Sequence, residues 1–207
     1  MRFSHPLDDL FQGRSSVKVL RALGDMPAGF EASTRELARR AGVSHPTASA
    51  VLEALRQQGV VHVRRTSRAD GYRVNPGHVL WDQVAPLLRW ERHARDVVVA
   101  FVADQIAQHA PWVSAAYLFG SVVRADMGPD SDIDVAVICS SARVPDTEDA
   151  MEAIGERTAE RFGNRVNAIV GTRPAEELSR GGRPGSGLWK AIAEEGIPLI
   201  ATGAVRA

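Results

Sequence analysis

The sequence predicts an α/β (α+β) chain of two modules, residues 1–76 and 110–207, joined by a helical linker over 77–109. Three observations carry this expectation. Up to Asn75, helical periodicities precede two short β-prone runs around a turn-rich segment. From Ala115 onward, strand-like apolar runs alternate with amphipathic helices, the pattern of a small mixed sheet. The charge divides at the same place. Through Asn75 there are 12 Lys+Arg against 7 Asp+Glu, and the remainder holds 13 against 18, although the net charge of the 207 residues is zero. A basic first part and an acidic second part point to different partners for the two modules.

In the first part, Arg14 to Gly24 carries Val17, Leu20 and Leu23 on one helical stripe. Ser33 or Thr34 can cap a second helix, TRELARR, closed by Gly42. Ser44 can cap a third, with Pro46 tolerated in its first turn. In that helix Ala48, Val51, Leu52 and Leu55 recur at the spacing of one buried face, and Gly59 ends it. Val60–Arg65 and Tyr72–Val74 then form a hairpin across TSRADG, which completes a winged helix-turn-helix plan. The segment STRELARRAGVSHPTASAVLEALRQQGVV resembles the winged-helix transcription regulators, including the MarR-like group, and the resemblance spans about residues 14–75.

A helix-turn-helix presents the first turns of its second helix to the major groove of duplex DNA. His45, Thr47 and Ser49 occupy those positions. Arg35, Arg39 and Arg40 lie on the preceding helix, and Arg64, Arg65 and Arg68 lie in the wing, where guanidiniums can reach phosphates or a minor groove. The alternative is a solvated basic surface on a protein-interaction module.

The linker from Val79 to His109 reads as helical. Leu80, Val84, Leu87 and Leu88 form one stripe, and the stretch can also supply a homodimer surface. The second module shows strands at Ala115–Phe119, Ile133–Cys139, Arg165–Val170 and Ile197–Ile200, with helices at Asp146–Phe162 and Ser186–Glu195. The glycine-rich RGGRPGSG at 180–187 reads as a loop, with Arg180, Arg183 and Lys190 either near phosphates or simply solvated.

The chemistry concentrates in YLFGSVVRADMGPDSDIDVAVI, residues 117–138. Asp132 and Asp134 are two apart in a strand-like run, so both project to one face while Ile133 and Val135 take the other. Paired carboxylates in an apolar run need a neutralising partner, and oxygen ligands suit magnesium. Upstream, Gly120 permits a close ligand approach, Ser121 and the following amides can open a phosphate-binding helix, and Arg124 adds a positive charge. An Asp-rich turn explains Asp126 and Asp130 but leaves Asp134 inside the strand unexplained.

The pattern GSxxRxD…SDID, with the ending LWKAIAEEGIPLI, resembles the minimal nucleotidyltransferases of the DNA polymerase β-like superfamily over roughly residues 110–201. The resemblance implies that Asp132 and Asp134 hold magnesium, in a one- or two-metal site, on a nucleoside triphosphate, with ATP the expected nucleotide. It implies that Gly120 and Ser121, with Arg124 and Ser131, grip the phosphates. It also implies a third acid on a neighbouring strand. In NRVNAIV that position falls on Asn167, a weak metal ligand and no base at neutral pH. Two outcomes stay open: NMP transfer to a protein or small-molecule acceptor, or a DNA-binding, antitoxin-like regulator that binds nucleotide with little turnover. The resemblance further suggests a helical HEPN-type protein partner.

No window approaches the roughly 18 apolar residues of a membrane span. MRFSHPLDDL lacks the charged and apolar regions of a secretory signal, and Cys139 is the lone cysteine, so a cytoplasmic location and a packed Cys139 are expected.

Overall fold

The computed structural model describes residues 5–11, 14–67, 69–124, 131–178 and 186–200. The chain packs as two compact units that divide between Arg92 and His93.

The first unit contains α1 (Pro6–Phe11), α2 (Arg14–Gly24), β1 (Ala32–Ser33), α3 (Thr34–Ala41), α4 (His45–Gln57), β2 (Val61–Arg64), β3 (Gly71–Val74) and α5 (Val79–Arg92). Its strands form an antiparallel sheet in the order β1-β3-β2. The expected caps form: Ser33 Oγ accepts the Glu36 amide at 3.3 Å, and Ser44 Oγ accepts the Thr47 amide at 3.2 Å. Gly42 ends α3 in the left-handed region at φ 61°, its N–H returning to the Arg39 carbonyl. Val19, Leu23, Leu37, Ala48, Leu52, Val61 and Tyr72 close the core.

Two elements of this unit are absent from the sequence expectation, α1 and β1. A buried ionic network fixes α1. Arg21 donates to both Glu91 carboxylate oxygens at 2.6 and 2.8 Å and to Asp8 Oδ1 at 2.9 Å, and Glu91 also accepts the Leu7 amide at 3.2 Å.

The stretch read as one helical linker is two helices, α5 and α6 (Ala94–His109), separated at His93, whose φ −111° and ψ 8° are not helical. They belong to different units because their apolar faces have different partners. Leu88 of α5 packs with Leu7 and Val17, whereas Val98, Val102 and Ile106 of α6 are buried in the second core.

The second unit continues with β4 (Ala115–Phe119), α7 (Ser121–Arg124), β5 (Ile133–Ile138), α8 (Val144–Phe162), β6 (Val166–Gly171), α9 (Ala175–Leu178), α10 (Ser186–Glu195) and β7 (Ile197–Ile200). The sheet order is β6-β5-β4-β7, with β5 and β6 parallel and the other pairs antiparallel. α8 begins two residues before the expected Asp146 because Pro145 suits a first helical turn. Leu118, Ile133, Val135 and Val137 face α6 and α8, where Met151, Ile154 and Phe162 complete the core. Tyr117, Phe119 and Ala136 face the opposite way, toward Ala175, Trp189 and Ile192. Cys139 is buried at 3% exposure.

Candidate functional site

β4 runs antiparallel to β5, with Phe119 opposite Asp134, so the chain leaves β4 directly beside that carboxylate. Gly120 makes the turn with φ 76°. A Cβ at Gly120 would overlap Asp134 Oδ2 and come within 3.1 Å of Asp134 Cγ. Glycine is therefore required twice here, by backbone sign and by the approach of the carboxylate. α7 follows as a single turn, with the Val123 and Arg124 amides each donating to the Gly120 carbonyl at 3.2 Å. The phosphate-binding helix expected after Ser121 is thus short, and the Ser121 and Val122 amides lie at its open end.

Ile133 and Val135 are fully buried, while Asp134 is half-buried and Asp132 exposed, in agreement with the two-face reading of β5. The segment entering β5 is pinned by the residues that lead into β6. The Asn164 side chain, 3% exposed, donates to the Ser131 carbonyl at 2.7 Å, and the Ile133 amide donates to the Arg165 carbonyl at 2.8 Å.

The parallel register of β5 and β6 sets Asn167 opposite Asp134. Its Nδ2 donates to Asp134 Oδ1 at 3.0 Å. An amide therefore stands where the sequence pattern called for a third acid. Among the described residues, no three His, Cys, Asp or Glu side chains gather closely enough to hold a metal ion. Two carboxylates that share a cation with phosphate oxygens remain a sufficient protein ligand set for magnesium, which keeps several waters.

Gly120, Arg124 and Asp134 share a cavity of about 250 Å³ with Phe119, Val123, Leu188, Ala191 and Glu195. Asp132, Ser121, Ser131 and Asn167 lie outside its lining. The sequence reading missed Glu195. It reaches the cavity because β7 pairs with β4, with Ile197 opposite Leu118, which brings the end of α10 back to Gly120. A helical stripe of Leu188, Ala191 and Glu195 was the available signal. Lys190 points elsewhere on α10, 3.9 Å from Glu194. Asp126, Asp130, Arg180 and Arg183 lie outside the described residues.

On the first unit, His45 and Ser49 are exposed at the start of α4. Thr47 is half-buried and its hydroxyl lies 2.7 Å from Ser44 Oγ, so it serves the helix cap. Arg35 and Arg65 are exposed. Arg39 and Arg40 both donate to Glu36, at 2.8 and 2.5 Å, and these bonds, Arg39's first, hold the Glu36 carboxyl at about 2. Arg64 donates to Glu31 at 2.5 Å. Further along α4, Arg56 donates to Glu53 at 2.8 and 2.6 Å. Arg68 lies outside the described residues. The basic surface expected for DNA is therefore partly satisfied by the protein's own carboxylates.

Residues 103–170 match the family "Polymerase beta, Nucleotidyltransferase", and residues 13–71 match the MarR family. The chain thus carries a MarR-like winged-helix domain followed by a nucleotidyltransferase domain. No curated protein matches it. Among solved structures it is similar to one described as "Crystal structure of the toxin-antitoxin with AMP-PNP", at 18% identity and TM-score 0.35, over 51% of this chain and 74% of that one. It is also similar to TrmBL2, an archaeal chromatin protein with a novel mode of DNA binding, at 17% identity and TM-score 0.27, over 90% of this chain and 76% of that one. Among the described residues, no helix is long and apolar enough to cross a membrane.

Proposed function

We propose that this chain binds duplex DNA through its winged helix and a magnesium–nucleoside triphosphate, ATP in the first instance, through its nucleotidyltransferase domain, with transfer strongly attenuated. One observation carries the proposal: Asn167 sits opposite Asp134 and donates to it. Asp132 and Asp134 would hold the cation, which supplies charge neutralisation on the phosphates. Gly120 lets the chain turn directly beside the Asp134 carboxylate, where a cation-bound phosphate would approach. Ser121 and Arg124 flank that approach. What the site lacks on β6 is a base, because an amide does not take a proton from an acceptor hydroxyl near neutral pH. A domain of this kind responds to nucleotide by binding it, which suits a cytoplasmic regulator of transcription or an antitoxin-like protein.

A second reading, efficient NMP transfer, has one observation in its favour. Glu195 lines the same cavity as Asp134 and Arg124 and could supply a carboxylate from α10 in place of the one missing from β6. Under that reading the acceptor is a protein hydroxyl, for which a helical HEPN-type partner is the candidate.

Incubation with labelled NTPs, magnesium and candidate acceptors separates the two readings. Attenuated transfer predicts negligible labelling by the wild type and a gain in Asn167→Asp. Efficient wild-type labelling that Asn167→Asp does not raise, and that Glu195→Gln abolishes, supports the second reading instead. DNA binding is tested on duplex fragments over a salt series, where affinity must fall steeply as salt rises.

A further inference from the structure

Two asparagines hold the chain at the two carboxylates of the candidate site, and they do it differently. Asn167 on β6 donates directly to Asp134 Oδ1 at 3.0 Å. Asn164, in the turn between α8 and β6, instead grips the backbone beside Asp132. Its Nδ2 donates to the Ser131 carbonyl at 2.7 Å. The next residue of the turn holds the other side, where the Arg165 carbonyl accepts the Ile133 amide at 2.8 Å. Asp132 is therefore the residue between two anchors, and both come from Asn164 and Arg165.

The bond between Ile133 and Arg165 is made by backbone groups alone and opens the parallel ladder, whose register begins with Ile133 opposite Val166. The Asn164 bond is a side-chain addition. It reaches Ser131, which lies outside β5, where the ladder no longer fixes the chain. Gly163 ends α8 in the left-handed region at φ 78°, and Asn164 follows with only 3% of its surface exposed. Burying an amide is costly unless its groups are bonded, and here one donor goes to the carbonyl next to Asp132. Asp132 itself is exposed, so burial does not fix it and its place depends on the backbone of its neighbours.

We propose, on the reading that Asp132 and Asp134 ligate magnesium, that Asn164 is the positioning residue for Asp132. By holding the Ser131 carbonyl it sets the geometry of that carboxylate, and through it the magnesium affinity of the nucleotide site. Asn164 contributes no ligand of its own. Magnesium demands near-ideal octahedral geometry, with oxygens at about 2.0–2.1 Å, so a carboxylate that drifts loses affinity directly. Groups that orient a metal ligand typically govern affinity by about 10- to 100-fold.

Two measurements on the full chain test it, in wild type, Asn164→Ala and Asn164→Leu. The leucine keeps nearly the shape of the buried side chain and removes the donor. The first measurement is hydrogen exchange without metal or nucleotide. Both variants should exchange faster at Asp132 and Ile133, with β4 and α6 unchanged. The second is a magnesium titration of binding to a non-hydrolysable ATP analogue. The magnesium concentration at half-saturation should rise about tenfold or more in both variants, and binding should recover at high magnesium. Asp132→Ala should not recover, because there the ligand is lost and not merely displaced. Exchange that is unchanged at Asp132 and Ile133, exchange that rises through the whole unit, or an unchanged half-saturation point overturns the proposal. Wild-type binding that survives Asp132→Ala intact contradicts the magnesium reading and removes the proposal with it. The metal-free exchange result tells the two failures apart, since it does not depend on what the carboxylates bind.

Discussion

Replacing Asn167 by Asp sets two carboxylates against each other where an amide now donates to Asp134 Oδ1 at 3.0 Å. Like charges about 4 Å apart repel by about 1 kcal/mol in water and about 4 kcal/mol at an effective dielectric of 20. Asn167 is exposed and Asp134 half-buried, so the lower part of that range, about 1–2 kcal/mol, applies. The lost hydrogen bond to a charged oxygen adds about 1–2 kcal/mol. The metal-free variant should therefore be less stable by about 2–4 kcal/mol, a fall of about 10 °C in the melting temperature of a unit this size. Magnesium reverses the sign, because a cation between the carboxylates turns the repulsion into a ligand set. Thermal melting with EDTA and with millimolar magnesium measures both states. The variant should melt well below wild type in EDTA and gain more from magnesium than wild type does. A variant as stable as wild type in EDTA and indifferent to magnesium would refute the idea that these side chains share one site.

Gly120→Ala should abolish nucleotide binding and destabilise the domain by about 1–2 kcal/mol from the left-handed backbone alone, before the overlap with Asp134 is added. Equilibrium binding of a fluorescent ATP analogue, with a denaturant midpoint, checks both parts. Arg21→Ala strands Glu91, only 3% exposed at its side chain, as an uncompensated buried charge, and should cost about 3–5 kcal/mol in urea unfolding. Glu31→Gln/Glu36→Gln frees Arg64, Arg39 and Arg40, and should tighten duplex DNA binding and steepen its salt dependence by about 0.9 per added phosphate contact. The Glu36 carboxyl is lowered from 4.5 to about 2 in the folded chain, so its stabilising contribution is complete above about pH 4.5 and is lost as pH falls through 2. Acid titration of stability should lose that dependence in Glu36→Gln.

The local signals were legible in the sequence and the long-range ones were not. Ser33 and Ser44 cap their helices because capping needs only a side chain and an amide three residues on. Asp132 and Asp134 share a face because strand alternation is local, and the substitution of Asn167 for an acid could be read because β5 and β6 each carry a clear apolar run. Glu195 was hidden because only the β4–β7 pairing returns α10 to Gly120, a contact across much of the domain. The break at His93 was hidden because the apolar pattern continues through it, and only the different partners of α5 and α6 divide the stretch. The arginines of the winged helix were legible as residues, and Arg39 and Arg40 stand at helical spacing from Glu36, but the pairing of Arg64 with Glu31 was not legible. Glu31 precedes β1, an element too short to leave a sequence pattern.

The central claim is that Asp132, Asp134 and the Gly120–Ser121 turn form one magnesium–triphosphate site. Titration of wild type and Asp132→Ala/Asp134→Ala with a non-hydrolysable ATP analogue, with and without magnesium, tests it most directly. The account predicts saturable binding by the wild type that requires magnesium and disappears in the double variant. Equal binding by both proteins, or wild-type binding that ignores magnesium, would contradict it.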